Sequence, residues 1–371
     1  MIRNDHSSKT TKYAYLVPIV SKTLDILELL QSERAPISIE AIHKRTRFSK
    51  TTVYRVLQTL HHRGYVSRTS EGLYRYAHKP TKLRFGFGSQ SVDMPFSEAV
   101  TASLQAAASA SGIELIVLDN RYDGQIALKN ALQFIEAKVD LIIEFQIDRR
   151  AAPVIADKIA AAGIPLIAID IPHPHATYFG VDNYRAGLDA GEVLANYAIE
   201  NWKGEVDWVL GLDVEEAGML VVSRITGSLD GIRARLPRIP AERYVRMDGR
   251  GLRQNCFRVV SDFLSRRPRD KHILIAAHTD TSALGALEAV RQAGRERHVA
   301  IFGQDYLAEV ADEMRRPACP IVGTVSHEVH EYGPRIIELS LSILQGRSVP
   351  PYNYVNHQVI TQEMVRQKRE R

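Results

Sequence analysis

The chain has 371 residues, 45% of them hydrophobic and 25% charged, which excludes wholesale disorder and leaves ample length for more than one domain. Its formal charge of +5 is unevenly divided: residues 1–84 hold 16 Lys and Arg against 6 Asp and Glu, a net of +10, and the remainder holds 32 against 37, a net of −5. A basic head is the footprint of a segment that meets a polyanion, and an acidic body argues against general stickiness.

In chain order, Met1-Ile2-Arg3-Asn4-Asp5-His6-Ser7-Ser8-Lys9 is polar and lacks the apolar core of a secretory leader. Residues 1–13 are therefore expected to form a disordered tail. No apolar run approaches the roughly 18–20 residues that cross a bilayer, so no membrane partner is expected. Cys256 and Cys319 are the only cysteines, too few for a disulfide framework or a thiolate metal cage. One bridge between them stays open, but two buried free thiols in a reducing cytoplasm is the expectation.

Residues 14–80 begin with three short helical patterns. Leu24, Leu27 and Leu30, with Ile26 beside them, predict one apolar face. Ser38 can cap a second helix through Ala41 and Ile42 that ends near Arg45-Thr46-Arg47. Ser49 can cap a third, in which Val53, Val56, Leu57 and Leu60 stand at i, i+3, i+4 and i+7. That spacing buries one stripe and turns Lys50, Thr51, Tyr54, Arg55 and Gln58 outward. Two β-like runs, Tyr65–Arg68 and Leu73–Tyr76, flank a Glu71-Gly72 turn and predict a hairpin.

Helix, helix, turn, helix, hairpin is the order of a winged helix-turn-helix, whose third helix enters the major groove by its N-terminal end. Lys50 and Arg55 can reach phosphate or guanine edges, and Ser49, Thr51, Thr52, Tyr54 and Gln58 share that helix. Arg45, Arg47, Arg68 and Arg75 suit phosphate contacts. The alternative is a solvated basic face. The segment resembles the DNA-binding heads of IclR-type transcription regulators through Val20–Leu30, Phe48–Leu57 and Arg63-Gly64-Tyr65-Val66. The likeness covers about 60 residues and stops there; the rest of the chain does not resemble the effector domain usual in that family.

Beyond Pro80, β runs at Leu83–Ser89, Glu114–Leu118, Val139–Phe145, Ile164–Asp170, Val206–Leu212, Tyr244–Met247, His272–Ala277 and Val299–Gly303 alternate with Ala- and Leu-rich helical runs. Repeated βα units predict an α/β fold of parallel sheets flanked by helices, with ligands beyond the carboxyl ends of the strands. Ser89, Gln90 and Phe96 come after the first run, Asp170 ends the fourth, and Arg224 lies in the helix after the fifth. Thr279 and Asp280 lie just beyond a later run, as do Gln304 and Asp305. Carboxylates can accept from vicinal hydroxyls, Arg can donate, and an aromatic ring can cover a sugar's apolar face. Each residue alone is as well explained as a cap or turn; their coincidence at strand ends favours binding.

This body resembles the type I periplasmic sugar-binding proteins and the effector domains of LacI-type regulators. The likeness runs through Phe85-Gly86-Phe87-Gly88 with Met94-Pro95-Phe96, Gly163–Asp170, Gly180-Val181-Asp182-Asn183, Thr279-Asp280, Phe302-Gly303-Gln304-Asp305 and Gly323–His327. It implies a two-lobed domain over 81–361, with lobes near 83–181 plus 328–354 and 182–327 plus 355–361, and a C-terminal tail at 362–371. It also implies that Phe96, Asp170, Arg224, Asp305 and His327 line the interlobe cleft, with Thr279 where that family often has Asn and with Asp182 and Asn183 near the first crossover; Gln90 joins these candidate ligand residues from its place after the first strand. Ser97, Gln304 and His327 depart from the residues usual at their positions, which concerns the ligand's identity and not the cleft. The linker Ala77–Lys82 lacks the hinge helix of LacI-type proteins.

Other motifs are set aside. Gly86-Phe87-Gly88 lacks the further glycine of a nucleotide loop and suits strand packing. His173 and His175, like His327 and His330, lack a metal-ligand cluster around them. No Gly-x-Ser-x-Gly elbow is present. The expectation is a cytoplasmic homodimeric regulator of a double-stranded DNA operator, responding to a sugar or polyol effector, without catalytic residues, metal or cofactor. The alternative is a sugar- or nucleotide-acting enzyme fused to a DNA-binding head.

Overall fold

The computed structural model describes residues 17–33, 35–77 and 83–367; the expected 1–13 tail, most of the linker and the last residues of the C-terminal tail lie outside the described residues. Backbone proximity divides the chain into two compact units, Met1–Thr81 and Lys82–Arg371.

The first unit contains α1 (Pro18–Ser32), α2 (Ile39–Thr46), α3 (Lys50–His62), β1 (Val66–Arg68) and β2 (Tyr74–Tyr76). Both serine caps form. Ser38 Oγ accepts from the Ala41 amide and Ser49 Oγ from the Thr52 amide, each at 3.2 Å, satisfying amides that the helix leaves unpaired. Arg47 takes a left-handed φ of 60° to close α2 before the turn into α3. The Val53, Val56, Leu57 and Leu60 stripe is buried with Ile26, Leu30, Ile42, Val66 and Tyr74. Leu24, expected in this core, is instead exposed on α1. It stands two residues, or about 200°, round the helix from buried Ile26, so the packed face is the Ile26–Leu30 pair. Reciprocal backbone bonds of 2.8 Å between Ile37 and Tyr74 tie the wing to the segment before α2.

The second unit has two six-stranded sheets. Its first lobe runs β3 (Arg84–Ser89), α4 (Pro95–Ala110), β4 (Glu114–Asp119), α5 (Gly124–Glu136), β5 (Leu141–Glu144), α6 (Ala151–Ala161), β6 (Leu166–Ile169) and β7 (Thr177–Val181). The chain crosses into α7 (Asn183–Trp202), β8 (Trp208–Asp213), α8 (Met219–Arg235), β9 (Tyr244–Asp248), α9 (Arg253–Ser265), β10 (Ile273–Ala277), α10 (Asp280–Gln292), β11 (Val299–Phe302), α11 (Ala308–Met314) and β12 (Ile321–Ser326). It returns as α12 (Tyr332–Leu344) and β13 (Tyr352–Val355), then crosses again to β14 (Gln358–Thr361) and α13 (Gln362–Gln367). Strand order is β13-β7-β6-β5-β3-β4 in one sheet and β14-β12-β11-β10-β8-β9 in the other.

All ladders in these two sheets are parallel except β12–β14, an antiparallel edge that the expectation of parallel sheets did not include. Gln362–Gln367, expected as a free end, form a helical turn that buries Val365 against the second lobe's core. Both cysteines are free and buried. The paired glycines of β3 serve packing: a methyl on Gly86 would meet the Phe134 ring at 2.6 Å, and one on Gly88 would meet Glu144 Oε2 at 2.7 Å.

Helices α7 and α8 cross at backbone contact. A methyl on Gly187, Gly191, Gly227 or Gly231 would overlap main-chain atoms of the facing helix. This crossing sets the depth at which α8 presents Arg224.

Candidate functional site: a closed interlobe cavity and an exposed recognition helix

Strand ends deliver the cavity's polar groups. Asp170 closes β6 at a left-handed φ of 59°, its amide bonded to the Phe179 carbonyl at 3.0 Å. Asp305 lies beyond β11 and donates its amide to the Val325 carbonyl at 2.7 Å. His278 and Thr279 lie just past β10, and His327 just past β12. Arg224 projects from α8, buried, with Nε donating to Asn183 Oδ1 at 2.9 Å and Nη1 to the His278 carbonyl at 2.8 Å. Phe96, early in α4, lies edge-on to Phe145, His327 and Tyr332 with ring centres 5.8–6.4 Å apart.

All seven expected ligand residues, Gln90, Phe96, Asp170, Arg224, Thr279, Asp305 and His327, line this one cavity. The lining also holds residues not anticipated: His278, Tyr122, Thr281, Phe145, and the aliphatic Ile147, Ile171, Val214 and Val221. His278 carried the same signal as Thr279, a place just beyond a strand end. The aliphatic residues carried none, because nothing in a local pattern separates a cavity wall from a core.

Three other flagged residues are structural. Asp280 accepts from Thr324 Oγ1 at 2.7 Å and the Leu307 amide at 2.8 Å, pinning the strand ends beside the cavity. Asp182 caps α7 by accepting from the Arg185 amide, and Gln304 is buried outside the lining. His173 is buried and donates from Nδ1 to the Ile171 carbonyl at 2.8 Å.

The two lobes meet over the cavity. Ile147, Ala152 and Ile171 of the first lobe pack with Val214, Ala217 and Val221 of the second, with Tyr122 against them. The Tyr122 hydroxyl donates to the Arg250 carbonyl at 3.1 Å, and the Arg149 amide to the Glu216 carbonyl at 3.0 Å.

Burial dominates the electrostatics. It raises the Asp170 carboxyl to about 6 despite opposing Arg224. It raises Asp305 well above the carboxylate range, with Asp280 adding to the effect and Arg224 opposing it. It drives His278 and His327 well below their ordinary value, helped by Arg224, so both imidazoles are neutral. Asp170 Oδ1 and both ring nitrogens of His278 and of His327 are buried without a hydrogen-bond partner. Buried polar atoms are ordinarily paired, so these five leave the cavity with unused hydrogen-bonding capacity.

In the first unit the outward face of α3 is as expected: Lys50, Thr51, Tyr54 and Arg55 are exposed, as are Arg45, Arg47, Arg68 and Arg75. Several of these groups already have intramolecular partners. Lys50 pairs with Glu40 and Arg45 with Glu33. The Ser49 and Thr52 hydroxyls bond each other at 2.8 Å, Gln58 Nε2 donates to the Tyr74 hydroxyl at 3.4 Å, and Arg75 Nε to Ser67 Oγ at 3.1 Å. Ser49, Thr52 and Gln58 thus hold the helix in place, while Thr51, Tyr54 and Arg55 form its open face.

A two-lobed α/β body with a polar interlobe cavity, preceded by a winged helix-turn-helix, defines a binding-protein fold joined to a DNA-reading motif. Residues 85–348 match the family model of the periplasmic binding protein domain, and the chain belongs to that family. Residues 19–70 match the IclR helix-turn-helix domain. Among curated relatives, the Ribose import binding protein RbsB of Bacillus subtilis (strain 168) is 23% identical over 275 residues, covering 72% of this chain and 84% of that protein.

Among solved structures, a solute-binding protein of an ABC transporter from Mycobacterium smegmatis with bound glycerol superimposes with a TM-score of 0.69 at 21% identity, covering 76% of this chain and 96% of the other. One from Actinobacillus succinogenes 130z with bound D-allose gives 0.67 at 22%, over 77% and 100%. One from Agrobacterium vitis with bound allitol gives 0.68 at 21%, over 78% and 98%. At these identities the likeness is one of fold. No helix among the described residues is long and apolar enough to cross a membrane.

Proposed function

We propose that this protein is a cytoplasmic, non-enzymatic transcription regulator whose winged head binds a double-stranded DNA operator as a homodimer and whose cleft closes on a sugar or related polyol. The observation that carries the reading is the set of unpaired buried polar atoms on Asp170, His278 and His327 around one cavity, in a chain that also bears an open, basic recognition helix. Neutral imidazoles offer one donor and one acceptor each, the protonated Asp305 carboxyl does the same, and an ionised Asp170 accepts, the complement of a run of hydroxyl groups. Relatives of this fold that bind ribose, D-allose and allitol by their descriptions support the same ligand class.

Closure around the ligand changes the relation of paired heads and so their fit to two half-sites. Coupling of this kind amounts to about 1–3 kcal/mol, or roughly 5–150-fold in operator affinity. The test is a thermal-shift panel of sugars, polyols and sugar acids, with operator binding measured on duplexes selected from a random pool. At least one neutral polyol should raise the melting temperature, remain chemically unchanged and alter DNA affinity. Asp305→Asn should abolish both responses and retain DNA binding. Turnover of the ligand would establish the fused-enzyme reading, and a normal response in Asp305→Asn would remove the cleft from the account.

A further inference from the structure

The second lobe carries another pocket, of about 800 Å³ and open to solvent. Its lining comes from the end of α9, the loop 266–272 that leads into β10, and the segment 292–298 that leads from α10 into β11. The interlobe cavity lies beyond the carboxyl ends of these parallel strands; this pocket lies before their amino ends, at the opposite pole of the sheet. Ser261 Oγ on α9, together with Arg295 Nη2 and His298 Nδ1, is buried without a hydrogen-bond partner. Arg295 is under a tenth exposed, and its Nη1 donates to the Arg267 carbonyl at 3.0 Å. Burial disfavours its charge, with Asp270 and Asp207 opposing that effect. The exposed Arg269, Lys271 and Gln292 stand at the rim. Asp270 is the one acid in the lining, and its Oδ2 already accepts from the Trp208 indole at 2.7 Å; Asp207 Oδ2 accepts from the Lys271 amide at 2.7 Å. Basic residues at helix ends ordinarily complement free carbonyls. Here the Ala289, Val290 and Arg291 carbonyls accept from the Ala293, Arg295 and Gly294 amides, and the Leu264 carbonyl from the Arg267 amide. Backbone turns thus close both helices without Arg295 Nη2.

We propose that this pocket binds a phosphoryl group, carried by a small metabolite as its monoester or present as free phosphate. Arg295, Ser261 and the Nδ1–H tautomer of His298 supply donors in its wall, and Arg269 and Lys271 supply positive charge at its rim. A tetrahedral oxyanion presents acceptors in several directions, so it can serve a guanidinium, a hydroxyl and an imidazole N–H at once. Pairing also removes the cost of keeping a guanidinium N–H buried and unbonded. The pocket's volume has room for the rest of a sugar-sized phosphate ester. None of these residues lines the interlobe cavity, so the site stands apart from the polyol reading.

The experiment is isothermal titration of the full chain, at fixed ionic strength, with inorganic phosphate, glycerol 3-phosphate, glucose 6-phosphate and, as a carboxylate control, acetate. Phosphate or an ester should bind saturably, and acetate should not. Arg295→Gln should weaken that binding about tenfold or more. Because it also removes the bond to the Arg267 carbonyl, Ser261→Ala and Lys271→Ala serve as milder variants, each weakening binding about three- to tenfold. Ser261→Ala deletes an unpaired hydroxyl, so its melting temperature without phosphate should not fall. An ester that binds more tightly than phosphate identifies a phosphorylated metabolite, and equal affinities identify free phosphate; both bear the site out. Absence of saturable binding, or equally tight acetate, overturns the proposal. So does binding that survives at full strength in both Ser261→Ala and Lys271→Ala, as contact with the basic head would.

Discussion

Asp170→Asn should make the ligand-free protein more stable at neutral pH and blind to its effector. One oxygen of the half-buried Asp170 carboxyl is buried without a partner, and desolvation raises the group from 3.8 to about 6. Folded, the group holds its proton to about pH 6; unfolded, it releases it near 3.8. The unfolded chain therefore binds fewer protons across that window, and folding stability falls as pH rises through it. At about 1.4 kcal/mol per pH unit, holding the charge in the fold costs about 3 kcal/mol above pH 6. Asparagine keeps the shape, carries no charge and tolerates the left-handed φ of 59° at this position.

The variant should accordingly melt roughly 5–10 °C above wild type at pH 7.5 and converge with it near pH 4. The raised carboxyls of Asp280 and Asp305 act in the same direction, so stability should still fall between those limits in both proteins. Asp170→Asn removes only its own share. Differential scanning fluorimetry from pH 4 to 8, with and without the panel sugar that most stabilises wild type, reads both effects. Melting curves that coincide at every pH would refute the burial argument, and a retained ligand shift would refute the role in binding.

Two further outcomes separate the modules. Lys50→Ala and Arg55→Ala should weaken DNA binding and lower the slope of log affinity against log salt by about one per lost phosphate contact, with ligand stabilisation intact. Fluorescence anisotropy at several salt concentrations measures this; matching loss of both activities would count against separate units. Gly187→Ala should destabilise the second unit by at least about 2 kcal/mol in chemical denaturation, because a methyl there overlaps the Arg224 carbonyl region. Because the overlap displaces α8, the residual folded protein should also lose its ligand response.

Much of the first unit was legible locally. Ser38 and Ser49 announced their helices because a hydroxyl just before an apolar-periodic run satisfies amides within three residues, and Val53, Val56, Leu57 and Leu60 reported α3's buried stripe by spacing alone. Leu24 misled because a leucine-rich helix offers more apolar residues than one face can bury, and its partner chooses the face. In the second unit, β runs ending in Asp170, Thr279 and Asp305 located a cavity-lining set because a parallel strand's carboxyl end is where this architecture opens.

Local pattern and strand polarity carried the succession of elements, the division near Pro80 and the residues that follow strands, Gln90, Phe96, Asp170, Thr279 and Asp305, whereas His327 came only from the likeness to sugar-binding proteins. Long-range contacts decided which strand-end acids face the cavity: the Asp280 carboxyl is engaged by Thr324 Oγ1 and the Leu307 amide, whereas Asp305 lines it. They also decided the β14 edge, the glycine crossing that sets Arg224's depth, and the aliphatic wall of Ile147, Ile171, Val214 and Val221. Each of these joins residues tens of positions apart, and no local periodicity encodes a contact that exists only once two lobes have closed.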